Sequence, residues 1–223
     1  MDKPGRILDA AERLLVDHGY RRVTVDEVAK RAGVGKGTVY LYWPSKLELF
    51  GAVISRRTAE LVREQLAALR ADPAEVLLHR AFSWTFRQVL REPLTRALYT
   101  GNQDVLGELM TVQGGRFAGG KAATTARYLE VLHAHGLLAG DPAADPLLSY
   151  RLSATISGFF LLETVPGAAE HEVADKAQAL ATTLRLAFEP AGRPAPQAVR
   201  AAATELAGRY EQWAEELTKE ATP

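Results

Sequence analysis

The side chains between residues 36 and 46 could bind the phosphates and base edges of a nucleic acid. Lysine, threonine and tyrosine recur in the segment VGKGTVYLYW, and another lysine follows it closely. Ammonium and hydroxyl groups donate hydrogen bonds to phosphate oxygens and to acceptors on base edges. The candidates for these contacts are Lys36, Thr38, Tyr40, Tyr42 and Lys46. Tyr42 lies three residues after Val39, so a position partly in the core is an alternative for it.

Gly35 and Gly37 belong to the same candidate set, because a purely structural helix would not favour them. Each glycine destabilises a helix by up to roughly 1 kcal/mol relative to alanine. A glycine also lets the backbone approach a groove wall closely, since it has no Cβ. Lys46 is equally unexpected, because a cation in the first turn of a helix is disfavoured by the helix dipole. A phosphate close to Lys46 would explain its position.

Positive charge is concentrated around these residues, although the chain as a whole is neutral. The 223 residues include 27 basic and 27 acidic side chains. Six basic and two acidic side chains fall between residues 21 and 46, which gives this segment a net charge of +4. Such a concentration is typical of a nucleic-acid-binding surface. A solvated charged face would give the same count, so charge alone does not decide between the two.

Two short helices with a glycine between them are predicted to position the candidate residues. Thr24 and Glu27 form a capping box, which starts a helix that ends near Gly33. A second short helix covers about residues 35–42. This is the helix-turn-helix pattern, in which the second helix enters the major groove and the first braces it. The sequence therefore favours a DNA-binding surface over a merely charged one.

Helical spacing of apolar residues continues along most of the chain and predicts an all-α fold. Cap and breaker residues set the expected bounds of the helices. The remaining segment, residues 93–121, is expected to form short or broken helices. The predicted helices cover about residues 4–18, 24–33, 35–42, 45–70, 73–92, 122–135, 146–166, 171–188 and 197–219.

The first fifty residues closely resemble the N-terminal DNA-binding domain of the TetR family of bacterial transcriptional regulators. The resemblance lies in the segment RILDAAERLLVDHGYRRVTVDEVAKRAGVGKGTVYLYWPSKLELF. Pro44 stands where a small or charged residue is more usual. The resemblance implies a three-helix DNA-binding domain over residues 1–50 and a larger helical ligand-binding and dimerisation domain over residues 51–223.

The resemblance also implies how the protein works. A homodimer would bind a palindromic double-stranded DNA operator, and a small-molecule effector would change the spacing of the two DNA-binding domains. Thr24, Thr38, Tyr42 and Lys46 would contact phosphates. The residues nearest the bases would be Lys36, Thr38 and Tyr40.

The predicted helix over residues 73–92 is apolar on nearly every side and must therefore be surrounded by other elements. Its polar residues are either satisfied core groups or orienting groups of a ligand cavity. Core packing is favoured for each one taken singly, namely His79, Ser83, Thr85 and Gln88. A lipophilic or aromatic effector is expected to contact the possible pocket residues Trp84, Gln88, Met110, Phe117 and Tyr128.

Small residues in the two helices predicted over residues 146–165 and 171–188 would permit close helix packing. Two such helices from each of two subunits could form an isologous four-helix interface. Ordinary packing within one chain is the alternative, and the two are compatible.

Several other classes of site are not predicted. The chain has no cysteine, and the segment from Gly33 to Thr38 lacks the spacing of a phosphate-binding loop. His133 and His135 lie two residues apart, so they diverge on a helix and cannot chelate one metal ion from one face. No catalytic residue, metal site or cofactor is therefore expected, and the protein is not predicted to be an enzyme.

The sequence also predicts a location in the cell. It has no secretion signal, and its longest mostly apolar stretch, residues 151–163, is shorter than the roughly 20 residues that span a bilayer. We expect a soluble bacterial cytoplasmic protein that associates with the nucleoid and has no membrane partner.

Three functions fit these observations to different extents. The sequence favours a ligand-responsive transcriptional regulator, most simply a repressor that its effector releases from DNA. The alternative is a dimeric DNA-binding protein whose C-terminal domain only dimerises or binds a protein partner. A helical carrier or enzyme with an incidental basic surface fits least, because the helix-turn-helix signals agree with one another.

Overall fold

The computed structural model describes residues 2–107, 109, 114–167 and 170–222, with side chains omitted for residues 114–123. These residues contain helices and no β-strand, which confirms the predicted all-α fold. The helices are α1 (Lys3–His18), α2 (Val25–Ala32), α3 (Lys36–Tyr42), α4 (Lys46–Ala71), α5 (Leu78–Arg91), α6 (Pro93–Thr100), α7 (Gln103–Leu106), α8 (Gly114–Ala134), α9 (Leu148–Leu162), α10 (Val173–Phe188) and α11 (Pro196–Ala221).

The chain forms two compact units, and the first consists of Met1–Val62, Pro93–Ala118 and Trp213–Pro223. Its core buries apolar side chains of α1 to α4 together with residues of α6 and α7. Among the fully buried residues are Ile7, Leu15, Val28, Val39 and Phe50. This shared core fixes the short helices α2 and α3, which would not be stable alone.

Polar contacts add to the packing of the first unit. Arg56 of α4 donates hydrogen bonds to Asp9 and Glu12 of α1, each at 2.7 Å.

Gly19 ends α1 with a positive φ of 76°. A Cβ on Gly19 would lie 2.1 Å from the backbone oxygen of Asp104, so only glycine fits this close approach. The next amide, of Tyr20, donates to the Val105 carbonyl at 2.8 Å.

The second compact unit consists of Arg63–Glu92 and Gly119–Gln212, and α5 packs against α10 within it. Phe86 of α5 also lies against Phe160 of α9, with ring centroids 5.1 Å apart. The buried hydroxyl of Tyr128 donates to the Val76 carbonyl at 2.7 Å. These contacts join residues that are far apart in the sequence.

The single helix predicted over residues 73–92 is wrong in its first turn. Pro73–Val76 form a short 3-10 helix, and Leu77 is extended before α5 begins. The Asp72 carboxylate accepts from the Ala74 amide, and the Leu77 amide donates to the Ala74 carbonyl, which tightens this turn. The hydroxyl of Tyr128 donates a hydrogen bond to the Val76 carbonyl, which favours the break between the 3-10 helix and α5. In the loosely patterned segment, α6 and α7 are short as expected, whereas α8 begins at Gly114, eight residues before its predicted start.

Candidate nucleic-acid interface

Helices α2 and α3 form the helix-turn-helix that the sequence predicts. Thr24 caps α2 in a complete capping box, and Gly33 ends this helix in the left-handed conformation with a φ of 67°. The amide of Val34 then donates to the Ala29 carbonyl at 3.0 Å, which closes the turn. Buried side chains on both helices hold the crossing together, namely Val25, Val28, Ala29, Ala32 and Val39.

One face of α3 points into the core and the opposite face into solvent. Val39 is fully buried, and Trp43 at the end of the helix is also buried. Successive residues turn by about 100°, so positions two before and two after Val39 point away from the core. These positions are Gly37 and Leu41. A Cβ on Gly37 would have nothing within 4 Å, and Leu41 is 84% exposed.

Leu41 is a candidate contact that the sequence interpretation missed. It is a large apolar side chain held out in solvent on the helix expected to enter the groove. Apolar side chains in the major groove contact the methyl group of thymine. The signal was available in the sequence, because Leu41 lies two positions after Val39 and therefore on the outer face.

Tyr40 and Thr38 flank this outer face, and their contact with bases stays a prediction. Tyr40 is 41% exposed, and Thr38 is half-buried. Gly35 is exposed and caps α3 with an ordinary extended backbone, so its φ of −73° does not require glycine. Tyr42 is half-buried, and its ring centroid lies 5.8 Å from that of Trp43. Tyr42 thus occupies the partly core position that was the alternative for it.

Lys36 reaches back to α2 instead of pointing freely into solvent. Its Nζ atom lies 2.6 Å from Oδ2 of Asp26, and both side chains are at least half exposed. The hydrogen bond and the charge of Asp26 raise the pKa of Lys36 above its ordinary value. A contact between Lys36 and a phosphate or a base would therefore have to replace the contact with Asp26.

Thr24 uses its hydroxyl group within the capping box. This group donates to Glu27 at 2.8 Å and accepts from the Glu27 amide at 3.3 Å. The carboxylate also accepts from the Thr24 amide, and the backbone and side-chain bonds from Thr24 lower the pKa of Glu27. A phosphate contact by the Thr24 hydroxyl would compete with the Glu27 carboxylate.

Lys46 has a partner within the chain. Its Nζ atom donates to the Tyr20 carbonyl at 2.5 Å and lies 4.2 Å from the centroid of the Tyr20 ring. These contacts provide a structural reason for a cation in the first turn of α4, where the sequence suggested a phosphate. A phosphate contact by Lys46 stays a prediction.

The residues predicted to line an effector pocket are distributed over several elements. Trp84 and Gln88 lie half-buried on α5, where Gln88 accepts a hydrogen bond from Arg91 at 3.3 Å. Tyr128 is buried, and its burial raises the pKa of its hydroxyl well above the ordinary value. Met110 lies outside the described residues, and Phe117 belongs to the part of α8 whose side chains are not described.

The polar residues of the α5 segment are satisfied by hydrogen bonds. His79 contacts Glu189 at 2.8 Å, Ser83 accepts from Arg87 at 2.9 Å, and the Thr85 hydroxyl donates to the Ala81 carbonyl at 2.9 Å. Within the described ranges, no group of three or more His, Asp or Glu side chains is placed to hold a metal ion. No described helix is long and apolar enough to cross a membrane.

Comparisons with known proteins point to the same class as the geometry. Residues 7–53 match the family described as bacterial regulatory proteins, tetR family. The chain is 40% identical over 77 residues to the uncharacterized HTH-type transcriptional regulator Rv2250c of Mycobacterium tuberculosis, covering 34% of this chain and 40% of that protein. It is 44% identical over 69 residues to the HTH-type transcriptional activator FasR of Mycolicibacterium smegmatis, covering 31% and 32%. These matches thus span less than half of either relative.

The fold of the rest of the chain is also found among known regulators. The structure of NalD, the secondary repressor of the MexAB-OprM multidrug efflux pump in Pseudomonas aeruginosa, superimposes with a TM-score of 0.60 at 20% identity, covering 85% of this chain and 98% of that one. The two sequence relatives are named as an HTH-type transcriptional regulator and an HTH-type transcriptional activator, the class that the helix-turn-helix of this chain predicts. Residues 7–53 of the chain therefore match the tetR family of bacterial regulatory proteins, and the fold of the described chain is similar to that of NalD.

Proposed function

We propose that the protein is a transcriptional regulator that binds a palindromic DNA operator as a homodimer. The observation that carries this proposal is the outer face of α3, where Gly37 and Leu41 point away from the core beside the exposed Tyr40. A helix that presents such a face after a braced turn can enter a major groove. The DNA-binding domain would comprise residues 1–50, and residues 51–223 would bind an effector and dimerise.

Selection of bound sequences from a random pool of duplex DNA tests this function directly. A palindrome with two half-sites would identify both the dimer and the operator. Operator binding should also weaken steeply with added salt, because Lys and Arg side chains displace counterions from DNA. A chain that shows no preference among duplexes at low salt would contradict the proposal.

Gly37→Ala tests whether the backbone of α3 approaches DNA closely. A Cβ at this position meets nothing within 4 Å, so the variant should fold as well as the wild type or gain up to about 1 kcal/mol of stability. Operator affinity should nevertheless fall, because the added methyl group lies between the helix and the groove. Gly208→Ala in α11 is the matched control, since its Cβ also meets nothing within 4 Å. Equal operator affinities of the two variants would contradict a close approach of the outer face of α3 to DNA.

If Lys46 also contacts a phosphate, Lys46→Ala should weaken the binding of specific and nonspecific DNA alike. The variant should also reduce the dependence of DNA affinity on salt concentration. Substitutions of Lys36 or Tyr40 should instead change base preference more than general affinity. An unchanged salt slope for Lys46→Ala would assign this side chain only to its contact with Tyr20.

The homodimer is supported by an exposed apolar face in the second unit. Leu147, Tyr150 and Leu161 are 59%, 70% and 60% exposed at the start and along α9, and Leu186 of α10 is 81% exposed. Leu147, Tyr150 and Leu161 recur at helical spacing and so share one side of the helix. An isologous four-helix interface would cover these side chains. Leu161→Glu should shift the protein toward monomer in sedimentation experiments.

The effector of the proposed regulator would be lipophilic or aromatic and would contact Trp84, Gln88, Met110, Phe117 and Tyr128. Repression with release by the effector is the simplest mode. FasR is named an activator and NalD a repressor, so both modes occur among the similar proteins. The effector would act through its differential affinity for two states, with a coupling of roughly 1 to 3 kcal/mol. The alternative is a DNA-binding dimer without an effector. Release of labelled operator by lipophilic or aromatic compounds distinguishes the two.

The protein would act in the bacterial cytoplasm at the nucleoid, where its operator lies. Microscopy of a fluorescent fusion tests this location.

A further inference from the structure

A cavity of 620 Å³ lies between α5 and α10 in the second unit. Its volume falls in the range of small-molecule sites, about 300–1,000 Å³. From α5 it is lined by His79, Ser83 and Arg87, and from α10 by Gln178, Thr182 and Arg185. Residues separated by one or two helical turns share a face, so each helix presents a polar stripe to the cavity.

The basic side chains around this cavity differ in their partners. Arg80 lies 2.8 Å from Asp72 and 2.5 Å from Glu75. His79 lies 2.8 Å from the Glu189 carboxylate. These two side chains therefore already have acidic partners.

Among the residues that the structure describes, Arg87 and Arg185 have no such acidic partner. Arg87 is half-buried and donates to the neutral Ser83 hydroxyl at 2.9 Å. Over the parts of the chain that the structure describes, neither guanidinium forms an ion pair. A partly desolvated charge that is bonded only to a neutral hydroxyl is poorly compensated, and an anion would relieve this cost.

We propose that this cavity binds a small organic anion whose carboxylate or phosphate group lies between Arg87 and Arg185. Guanidinium groups bind both kinds of oxyanion through paired N–H donors. Ala181 provides an apolar contact for the body of the ligand, and Gln178 and Thr182 provide polar ones. This site differs in position and in charge preference from the lipophilic pocket considered above. It is also independent of operator binding, because it concerns the chain and an anion alone.

Titration with three ring compounds tests the site on the full chain. Benzoate and phenyl phosphate carry the two anionic groups, and benzamide is a neutral counterpart of benzoate. NMR signals of the arginine Nε–H groups report which guanidinium is affected. We expect at least one anion to shift the signals of Arg87 and Arg185 at millimolar concentration, and we expect benzamide to leave them unchanged. The stronger of the two anions identifies the preferred group.

Arg87→Gln and Arg185→Gln should each weaken anion binding by about tenfold or more, as expected when a charge-assisted hydrogen bond is lost. Arg91→Gln is the matched control, because Arg91 is exposed on the same helix and bonds to Gln88. Arg185 is itself exposed, so its variant keeps the test valid even if Arg87→Gln unfolds. Equal binding of benzoate and benzamide, absence of any shift, or equal losses in the Arg91 and Arg185 variants would overturn the proposal. Operator binding without added anion is measured separately and tests the proposed function alone.

Discussion

The polar contacts near α3 and those of the α5 segment differ in how far apart in the sequence their partners lie. In the first unit, the polar contacts near α3 join residues close in sequence, three positions apart for Thr24 with Glu27 and ten for Lys36 with Asp26. In the second unit, His79 contacts Glu189 across 110 positions, and Tyr128 contacts Val76 across 52. Local contacts are encoded in short motifs, whereas distant contacts depend on the packing of whole helices.

The helix faces that carry the two candidate binding sites also differ in their side chains. The outer face of α3 leaves a leucine and a glycine open to solvent, and the core holds the helix mainly through Val39 and Trp43. The stripes of α5 and α10 instead turn charged side chains toward a shared cavity. Substitutions should therefore separate stability from binding in the first unit more cleanly than in the second.

The largest effect on stability is expected for Gly19→Ala. The new Cβ would lie 2.1 Å from the backbone oxygen of Asp104, and the φ of 76° is strained for alanine. Strain and displacement together should lower the free energy of unfolding by about 3 kcal/mol, as measured with urea. Gly101→Ala is the control, because Gly101 has a φ of 66° but nothing within 4 Å of a Cβ. Its loss should be about 1 kcal/mol. Equal losses would show that the close approach at Asp104 contributes nothing.

Val39→Ala and Leu41→Ala should separate the two faces of α3. Val39 is fully buried, so its truncation should lower the free energy of unfolding by about 2 kcal/mol. Leu41 is 84% exposed, so its truncation should change stability by less than about 0.5 kcal/mol. Leu41→Ala should instead reduce operator affinity, most strongly for sites with thymine in the contacted position. A marked loss of stability in the Leu41 variant would break the proposed division of this helix.

Tyr128→Phe tests a distant contact of the second unit. Its hydroxyl donates to the Val76 carbonyl inside the core, and the variant leaves that carbonyl unpaired. The free energy of unfolding should fall by about 1 to 2 kcal/mol. Tyr150→Phe is the control, because Tyr150 is 70% exposed and should change stability little. Thermal unfolding of both variants gives the comparison.

Thr24→Ala tests a local contact of the first unit. Loss of the cap should lower the free energy of unfolding by about 1 kcal/mol. Thr183→Ala removes an exposed threonine whose hydroxyl only bonds back to the Ala179 carbonyl within α10, and its effect should be smaller or of opposite sign. A larger loss for Thr183→Ala than for Thr24→Ala would contradict the importance of the capping box.

The smallest effect is expected from pH. The bonds from Thr24 lower the folded-state pKa of Glu27 below its ordinary value of 4.5. A depressed carboxyl pKa contributes stability that is fully present above the ordinary value and is lost as the pH falls through the folded one. The stability difference between wild type and Glu27→Gln should therefore be constant near neutral pH and should shrink below about pH 4. A difference that does not depend on pH would exclude this carboxylate as its source.

Much of the first unit could be predicted because its signals are short and local. The capping box at Thr24 and the glycine at position 33 act within a few residues, so the sequence predicts α2 and its end correctly. The internal partner of Lys46 could not be predicted, since Tyr20 is brought to it by the packing of α1 against α4. The break before α5 escaped prediction for the same kind of reason, as the bond from Tyr128 to Val76 spans the unit.

The sequence by itself determined the helical class, the two helices of the DNA-binding motif and most of the residues on them, because caps, turns and helical periodicity act over a few positions. Only the tertiary structure decided that Thr24, Lys36 and Lys46 bond to partners within the chain. It likewise decided that Leu41 is exposed to solvent. It also decided that the stripes of α5 and α10 meet around a cavity with two guanidinium groups that have no acidic partner among the described residues. Such a site depends on the approach of segments about a hundred residues apart, and no local pattern records where they meet.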